Sequence, residues 1–214
     1  MPNALLGYLH PLPLIAVLRG ITPEEIPGIG AALVAHGFRI LEVPLNSPRP
    51  FESIRALAER FGERCLVGAG TVLAVDEVTQ VKAAGGRVIV MPHADTIVIR
   101  EAKRQGLVCV PGVATPTEAF AALAAGADGL KMFPADQLPP SALKAWRAVL
   151  PRDAVVFPVG GIRPDNMAPY WAAGADGFGT GSNLYAPGSS VAEVDRAAAA
   201  FAAAYRALVP RHVA

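Results

Sequence analysis

Two ionisable residues stand inside apolar runs of this sequence, where charged side chains are uncommon. Lys131 lies in Gly-Leu-Lys-Met-Phe-Pro, and Glu42 lies in Ile-Leu-Glu-Val-Pro-Leu. The other three lysines, at positions 82, 103 and 144, lie in polar segments typical of helices. A buried ammonium group has a lowered pKa or a fixed partner, and a neutral lysine is a nucleophile toward carbonyl carbon. Lys131 is therefore either a Schiff-base lysine or a lysine paired with a carboxylate for structure.

The carboxylate of Glu42 has the same two interpretations. Burial raises the pKa of a carboxyl group toward neutrality, which suits a general base. The structural alternative is an ion pair with Arg19 or Lys131. If the two strands direct Glu42 and Lys131 into one pocket, the pair is more specific than either residue alone. We therefore favour catalysis.

Short apolar runs alternate with helix-like segments along the chain. One run and the helix-like segment after it form a unit of about 24 residues. Such continuously apolar runs are typical of parallel strands covered by helices on their outer side. The eight runs are Leu14–Leu18, Ile40–Leu45, Cys65–Val67, Val88–Met91, Leu107–Val110, Leu130–Phe133, Val155–Val159 and Phe178–Gly181.

Glycines mark the ends of most helix-like segments. A glycine readily takes the left-handed conformation that ends a helix. The candidate positions are Gly37, Gly62, Gly85, Gly106, Gly126 and Gly174. The hexapeptide Ala-Ala-Gly-Ala-Asp-Gly occurs twice, at 124–129 and 172–177, in keeping with a repeated unit.

Eight strand–helix units predict an α/β protein that is a single-domain (β/α)8 TIM barrel over residues 1–214. An extra C-terminal helix is expected at about 190–208. The competing architecture is a doubly wound open sheet, but its Gly-x-Gly-x-x-Gly fingerprint is missing after the first strand. In a barrel, the functional residues gather at the carboxyl ends of the strands.

Two glycine turns follow the seventh and eighth runs, namely Gly160-Gly161 and Gly181-Ser182. Loops at these places of a barrel commonly bind phosphate through backbone amides and a helix N-terminus, and glycine permits close approach of the backbone. The alternative is a pair of tight turns that bind nothing. Because both turns occur together at this place in the barrel, we favour a phosphate-binding site.

The composition excludes several classes of protein. Charged residues are 17% of the chain and the net charge is +1, so no nucleic-acid partner is expected. Cys65 and Cys109 lie in apolar runs as small core residues, which suits a reducing compartment. With no evident signal peptide or membrane span, we expect a cytoplasmic protein. The four histidines are widely spread, so a metal site is not expected.

Taken together, the motifs resemble the class I 2-keto-3-deoxy-6-phosphosugar-acid aldolases. The resemblance runs from about residue 13 to 188, with the motifs in the family's order. It rests on five segments: Leu18-Arg19-Gly20, Glu42 to Ser47, Gly68 to Val72, Leu130 to Pro134 and Val159-Gly160-Gly161. It implies a homotrimer of barrels that cleaves a small-molecule substrate to pyruvate and glyceraldehyde 3-phosphate.

Within that family the chain is more similar to the enzymes for 6-phosphogalactonate than to those for 6-phosphogluconate. The gluconate type typically has threonine at the position of Val159 and arginine at the position of Asn46. The two substrates differ in configuration at C4, and an apolar wall in place of a hydroxyl is a basis for selecting between them. The gluconate substrate, or both epimers, remains the alternative. Arg163 departs from the pattern and either reaches the phosphate or points to solvent.

The resemblance also implies a role for each site residue. Lys131 forms the iminium ion and Glu42 transfers protons, so neither cofactor nor metal is needed. Arg19 holds the substrate carboxylate, Thr71 and Phe133 line the pyruvyl end, and Val159 faces the C4 hydroxyl. The phosphate is held by Gly160, Gly161, Gly181 and Ser182. Remoter alternatives are a sugar-phosphate isomerase without a covalent lysine and a non-catalytic barrel that only binds sugar phosphate.

Overall fold

Strands and helices alternate along residues 3–209, the part of the chain that this computed structural model describes. The strands are β1 Leu14–Val17, β2 Ile40–Pro44, β3 Leu66–Gly70, β4 Val88–Val90, β5 Val108–Val110, β6 Gly112–Val113, β7 Leu130–Met132, β8 Val156–Pro158 and β9 Phe178–Thr180. The helices are α1 Ile26–Ala35, α2 Pro50–Phe61, α3 Val75–Ala83, α4 Thr96–Arg104, α5 Pro116–Ala124, α6 Pro140–Arg147, α7 Met167–Ala172 and α8 Val191–Leu208. A short 3-10 helix, Ala4–Tyr8, precedes β1.

All strand pairs in the sheets are parallel, as the continuously apolar runs predict. One curled sheet has six strands in the order β5-β4-β3-β2-β1-β9, and a second has three in the order β6-β7-β8. The sequence predicts eight strands, whereas residues 3–209 contain nine. The additional one arises because Pro111, which has no N–H to donate, separates β5 from β6. A parallel bridge between Val159 and Gly179 joins the edges of the two sheets.

The strands have two apolar faces with a period of two residues. Ile15, Ile40, Val90 and Phe157 belong to an inner cluster enclosed by the curled sheets. The alternating residues, such as Leu41 on β2, belong to a larger cluster that packs under the helices. Each strand is thus buried on both sides, which explains why its sequence is apolar throughout.

The 3-10 helix contributes to one end of the inner cluster. The Asn3 side chain caps this helix by accepting a hydrogen bond from Leu5 N at 3.0 Å. The Asn3 amide donates to the Asp128 carbonyl at 2.6 Å, which ties the helix to the loop before β7. Leu5 is fully buried among the inner residues, and Tyr8 packs beside them.

Five of the six predicted glycine stops have the left-handed conformation, with φ between 78° and 101° at Gly37, Gly85, Gly106, Gly126 and Gly174. Gly62 also ends its helix, directly after α2, but it is not left-handed: its φ is −60° and its N–H donates to the Ala58 carbonyl. The reason for glycine there is close packing, because a Cβ atom at Gly62 would lie 2.4 Å from the Ala58 oxygen.

The repeated hexapeptide performs the same structural task twice. The carboxylate of Asp128 accepts the N–H of Cys109 at 2.8 Å and pairs with Lys103. The carboxylate of Asp176 accepts the N–H of Val156 at 2.7 Å and pairs with Arg147. Each aspartate therefore fastens the loop before its own strand to the neighbouring strand and its helix.

Helix α8 packs against α1 and α7 on the outer side of the sheet. Its N-terminal residue Val191 occupies the space that a side chain at Gly28 would fill. His36 is 2.8 Å from Asp195, and the rings of Trp171 and Tyr205 meet edge to face with centroids 5.4 Å apart. Among the helices of residues 3–209, none combines the length and apolar character needed to cross a membrane.

Candidate active site

Lys131 points to the inner side of the sheet because its neighbours on β7 point outward. Leu130 and Met132 pack under the helices, so the residue between them faces the interior. The lysine is 5% exposed. Burial lowers the pKa of its ammonium group, Glu42 opposes this shift and Arg19 adds to it. The structure therefore favours an amine that loses its proton more readily than a surface lysine.

Glu42 reaches the interior from β2 by the same alternation. It is 1% exposed, and its Oε2 atom is buried without a hydrogen-bond partner among residues 3–209. Burial raises the pKa of this carboxyl group to about 7, although the charges of Lys131 and Arg19 act to lower it. A carboxyl group that titrates near neutrality can accept and return a proton during one reaction cycle.

A glycine makes room for this carboxyl group. A Cβ atom at Gly70 would lie 1.9 Å from Glu42 Oε2. Gly68, two residues earlier on β3, has a different neighbour, since a Cβ atom there would lie 1.9 Å from the carbonyl oxygen of Val88. Gly70 thus gives space to a functional side chain, whereas Gly68 permits close packing of two strands.

The structural alternative for Lys131 and Glu42 was an ion pair, and the geometry does not favour it. Within the described residues neither side chain lies within 4.0 Å of an oppositely charged group, although the two charges influence each other's pKa. The Lys131 Nζ atom lies 4.6 Å from the centroid of the Phe133 ring. An unpaired, buried amine beside a carboxyl group suits covalent chemistry better than structural support.

Arg19 is held at the carboxyl end of β1 by two side chains. Its Nη1 donates to Asn46 Oδ1 at 2.6 Å, and its Nη2 donates to Thr71 Oγ1 at 3.3 Å. Thr71 has φ of 56°, which is rare for a β-branched residue and indicates a constrained position after β3. The charge of Arg19 is therefore fixed near Lys131 and Glu42.

A cleft of about 350 Å³ opens at the carboxyl ends of the strands. Of the predicted site residues, its lining includes Arg19, Lys131, Phe133, Val159, Gly160, Gly161, Gly181 and Ser182. Glu42 and Thr71 are not part of the lining: Glu42 lies buried beside Gly70, and Thr71 contacts the site through Arg19. The volume suits a small organic substrate.

One end of the cleft is rich in backbone groups. Gly160 and Gly161 both have left-handed φ, 106° and 66°. In the described structure the amides of Gly161, Ile162, Ser182 and Asn183 donate no hydrogen bond to another protein atom. Helix α7 begins only at Met167, so the amides here belong to the loops, and the helix N-terminus expected from the sequence does not contribute.

Several lining residues escaped the sequence analysis, chiefly in the loop after β9. Asn183, Tyr185 and Pro187 line the cleft, and the Tyr185 hydroxyl donates to Glu25 Oε1 at 3.1 Å. Burial and the Glu25 carboxylate raise the pKa of Tyr185. A loop residue gives no periodic signal of its direction, so only the three-dimensional structure could reveal these contacts.

Arg163 lies outside the cleft lining. Its side chain is 53% exposed, and its Nε donates to Asp165 Oδ1 at 3.1 Å. Of the two orientations considered for this residue, the structure therefore shows the one toward solvent.

The fold and the site define a class of enzymes in which a parallel sheet presents a buried lysine at the end of a cleft. Comparison with known proteins gives the family. The family model of KDPG and KHG aldolases matches residues 7–199, and the chain belongs to this family.

Relatives and solved structures agree with this assignment. The chain is 50% identical over 196 residues to a probable 2-dehydro-3-deoxy-6-phosphogalactonate aldolase of Rhizobium meliloti, with 92% of each chain covered. It is 48% identical over 198 residues to the 2-dehydro-3-deoxy-6-phosphogalactonate aldolase of Escherichia coli, with 92% and 97% covered.

The solved structures include a native KDPGal structure at 47% identity and a TM-score of 0.91, with 92% of this chain and 96% of that chain covered. A porous cage designed by fusing symmetric oligomeric domains has the same identity and TM-score, with 92% and 73% covered.

We predict that Gly70→Ala inactivates the protein with little loss of stability. The new methyl group displaces only the end of the Glu42 side chain, so aldolase activity falls by about 100-fold or more. The free energy of unfolding changes by less than about 1 kcal/mol. Activity assays and chemical denaturation measure the two effects.

Gly68→Ala is the matched control, because its methyl group meets backbone. We expect it to destabilise the fold by about 1–3 kcal/mol. Wild-type activity in Gly70→Ala would contradict the placement of Glu42.

Proposed function

We propose that this chain is a class I aldolase that cleaves 2-dehydro-3-deoxy-6-phosphogalactonate to pyruvate and D-glyceraldehyde 3-phosphate. The observation that carries the proposal is Lys131, a buried amine on the wall of the cleft, without an ion-pair partner and beside a carboxyl group that titrates near pH 7. The relatives of nearly equal length named for the galactonate substrate support the choice of substrate.

The covalent step begins at the C2 ketone. The neutral amine of Lys131 adds to C2, and the resulting carbinolamine takes up a proton from solvent and loses water, which gives an iminium ion that accepts electrons. Glu42 as carboxylate takes the proton of the C4 hydroxyl, directly or through water. The electrons of the C3–C4 bond then move to the iminium nitrogen, and the bond breaks to give an enamine and the aldehyde.

The second half of the cycle restores the enzyme. Glu42, now protonated, returns its proton to C3 of the enamine, and the iminium ion forms again. Water adds to C2 and releases pyruvate, the free amine of Lys131 and a proton, which returns to solvent. A carboxyl pKa of about 7 suits both directions of this transfer, since neither protonation state of Glu42 is strongly favoured at neutral pH.

Arg19 has two tasks in this proposal. Its guanidinium binds the substrate carboxylate at the pyruvyl end, which Phe133 lines and to which Thr71 contributes through its hydrogen bond with Arg19. Its positive charge contributes to the lowered pKa of Lys131, so that more of the amine is neutral. The hydrogen bonds from Asn46 and Thr71 hold the guanidinium for both tasks.

The opposite end of the cleft binds the phosphate group. Amides without a partner in the loops after β8 and β9 supply donors, and Gly160, Gly161 and Gly181 let the backbone approach the anion. Ser182 adds a hydroxyl group. Phosphate and carboxylate are thus bound at opposite ends, with the C3–C4 bond between them near Lys131 and Glu42.

The second candidate function is cleavage of the gluconate epimer, alone or with the galactonate one. Val159 favours the galactonate substrate, because it lines the cleft with an apolar side chain that cannot hydrogen-bond a C4 hydroxyl. One such contact gives a preference worth about 1–3 kcal/mol, so the difference between the epimers is a matter of degree.

We also propose that the two sheets form a single closed (β/α)8 barrel, which makes the whole chain one domain. The bridge from Val159 to Gly179 supports closure at one side. At the other side β5 and β6 are separated by one residue, Pro111, and act as one interrupted strand. A closed barrel explains why Lys131 and Glu42, on β7 and β2, influence each other's pKa.

The assembly we propose is a homotrimer. Residues Leu73, Val75, Ile97 and Phe120, at or near the first turns of α3, α4 and α5, are 40–66% exposed despite their apolar side chains. Val75 and Ile97 line one surface groove together. A relative of 47% identity forms part of a cage made by fusing symmetric oligomeric domains, which supports self-association through such a surface.

A cytoplasmic location agrees with the cysteines. Cys65 and Cys109 are both free and buried, and burial raises the pKa of each thiol. We therefore propose that the protein works in a reducing compartment, the cytoplasm.

The test of the covalent mechanism is mass spectrometry after incubation with pyruvate and borohydride. We expect a reduced pyruvate adduct on the peptide that contains Lys131, and no adduct in Lys131→Ala. Steady-state kcat/KM for the two C4 epimers then decides between the candidate substrates. A wild-type protein that binds sugar phosphate without forming the adduct would instead be an isomerase or a binding protein.

The pH dependence of kcat/KM should report the ionisation of the Glu42 carboxyl group. Because the base must be ionised, activity is low below the pKa of about 7 and rises as the pH passes through it. We expect this rise in the wild type and its loss in Glu42→Gln, whose activity is uniformly low. A rate that does not change between roughly pH 5.5 and 8.5 would exclude Glu42 as the base.

The trimer is tested by the mass of the protein in solution. Light scattering should give three times the chain mass of 22.2 kDa. Ile97→Asp should give smaller species, because a charge on the groove opposes burial. Val149→Asp is the control, since Val149 is also exposed but lies at the end of α6. Equal masses for the two variants would show that the groove is not the interface.

A further inference from the structure

The side chains of two asparagines at the phosphate end of the cleft have no role in the chemistry described so far. Asn166 lies just before α7, and Asn183 lies in the loop after β9. Both side chains use their hydrogen bonds on backbone groups of the segment 161–163. This segment begins with Gly161, the second residue of the left-handed pair Gly160 and Gly161.

The peptide between Ile162 and Arg163 is held at both of its ends. Its carbonyl oxygen accepts a hydrogen bond from Asn183 Nδ2 at 2.9 Å, and its N–H donates to Asn166 Oδ1 at 2.9 Å. A peptide fixed at both its carbonyl and its amide cannot rotate. The contact from Asn183 also fastens the loop after β9 to the loop after β8.

The preceding peptide, between Gly161 and Ile162, is held only at its carbonyl. Asn166 Nδ2 donates to the Gly161 oxygen at 2.9 Å, whereas the N–H of Ile162 has no partner within residues 3–209. The carbonyl and the amide of a trans peptide point in opposite directions. The Ile162 N–H therefore points away from Asn166, and Ile162 itself lines the cleft.

We propose that Asn166 and Asn183 are positioning residues that orient the Ile162 amide, and with it the loops after β8 and β9, toward the substrate phosphate. This inference rests on the proposed function, because it presupposes a phosphorylated substrate. The proposal also explains what the phosphate site needs besides Gly160 and Gly161. Left-handed glycines permit many conformations, and the asparagine side chains select the one that presents donors to the anion.

The test compares two aldehydes in the condensation direction with pyruvate, namely D-glyceraldehyde 3-phosphate and unphosphorylated D-glyceraldehyde. For the wild type we expect a much higher kcat/KM for the phosphorylated aldehyde. Asn183→Ala and Asn166→Ala should each reduce this preference by about tenfold to 100-fold, mainly through KM of the phosphorylated aldehyde. Activity with the unphosphorylated aldehyde and the rate of pyruvate–borohydride labelling of Lys131 should not change.

Asn46→Ala is the matched control at the same end of the sheet. It removes an asparagine that holds Arg19 at the carboxylate end, so it should slow pyruvate labelling and lower both activities together. The ratio between the two aldehydes should stay as in the wild type. The variants at the phosphate end should thus change the ratio without slowing labelling, whereas Asn46→Ala should slow labelling without changing the ratio. A general loss of structure would not give these opposite results.

Asn183 is exposed, so we expect Asn183→Ala to fold. The test can therefore be made with this variant even if Asn166→Ala does not fold. An unchanged preference for the phosphorylated aldehyde in a folded Asn183→Ala would overturn the inference, as would an equal loss with both aldehydes. A wild type without preference for the phosphorylated aldehyde would instead contradict the proposed function, so the two failures are distinguishable.

Discussion

The structure depends on the burial of two ionisable side chains, Lys131 and Glu42, within an apolar interior. Transfer of a charged group out of water is unfavourable, and proteins respond by shifting its pKa toward the neutral form. Here burial is the largest influence on both groups, and it moves their pKa values toward each other. The lysine is thereby closer to a neutral nucleophile and the carboxyl group closer to a neutral acid. Arg19, fixed at the rim, opposes the shift of Glu42 and adds to that of Lys131.

The interior can hold these groups because large and small residues alternate around it. A Cβ atom at Gly179 would lie 2.5 Å from Val159 Cγ2, and one at Gly177 would lie 2.8 Å from Phe157 Cε1. Side chains in and directly after β8 thus fill the space that the glycines in and directly before β9 leave open. On β3 a glycine likewise leaves space for a neighbouring side chain, since the Glu42 carboxylate occupies the space beside Gly70. Glycine is required at these places by close approach, with no need for unusual backbone angles.

Much of this arrangement could be predicted from the sequence, because its signals are local. Apolar runs and most glycine stops follow from burial on both faces and from the left-handed ends of helices. Lys131 and Glu42 are visible as charges inside such runs. Two details differ from the prediction: Gly62 ends its helix without a left-handed φ, because it packs closely on Ala58, and Pro111 separates an additional strand, β6, from β5. The partners of Asn183 depend on how two loops meet, which no local pattern encodes.

The loop after β1 connects the two ends of the cleft, and this explains how the protein fixes the distance between them. On one side the Gly20 N–H donates to Ser47 Oγ at 2.9 Å, beside the contact from Arg19 to Asn46. On the other side Pro187 packs so closely on Gly20 that a Cβ atom there would lie 2.5 Å from its ring. Arg19 and the loop after β9 are thereby joined in one rim of the cleft. In the function we propose, a substrate bound at both ends meets Lys131 and Glu42 in a geometry set before it arrives, so its binding energy is available for bond cleavage.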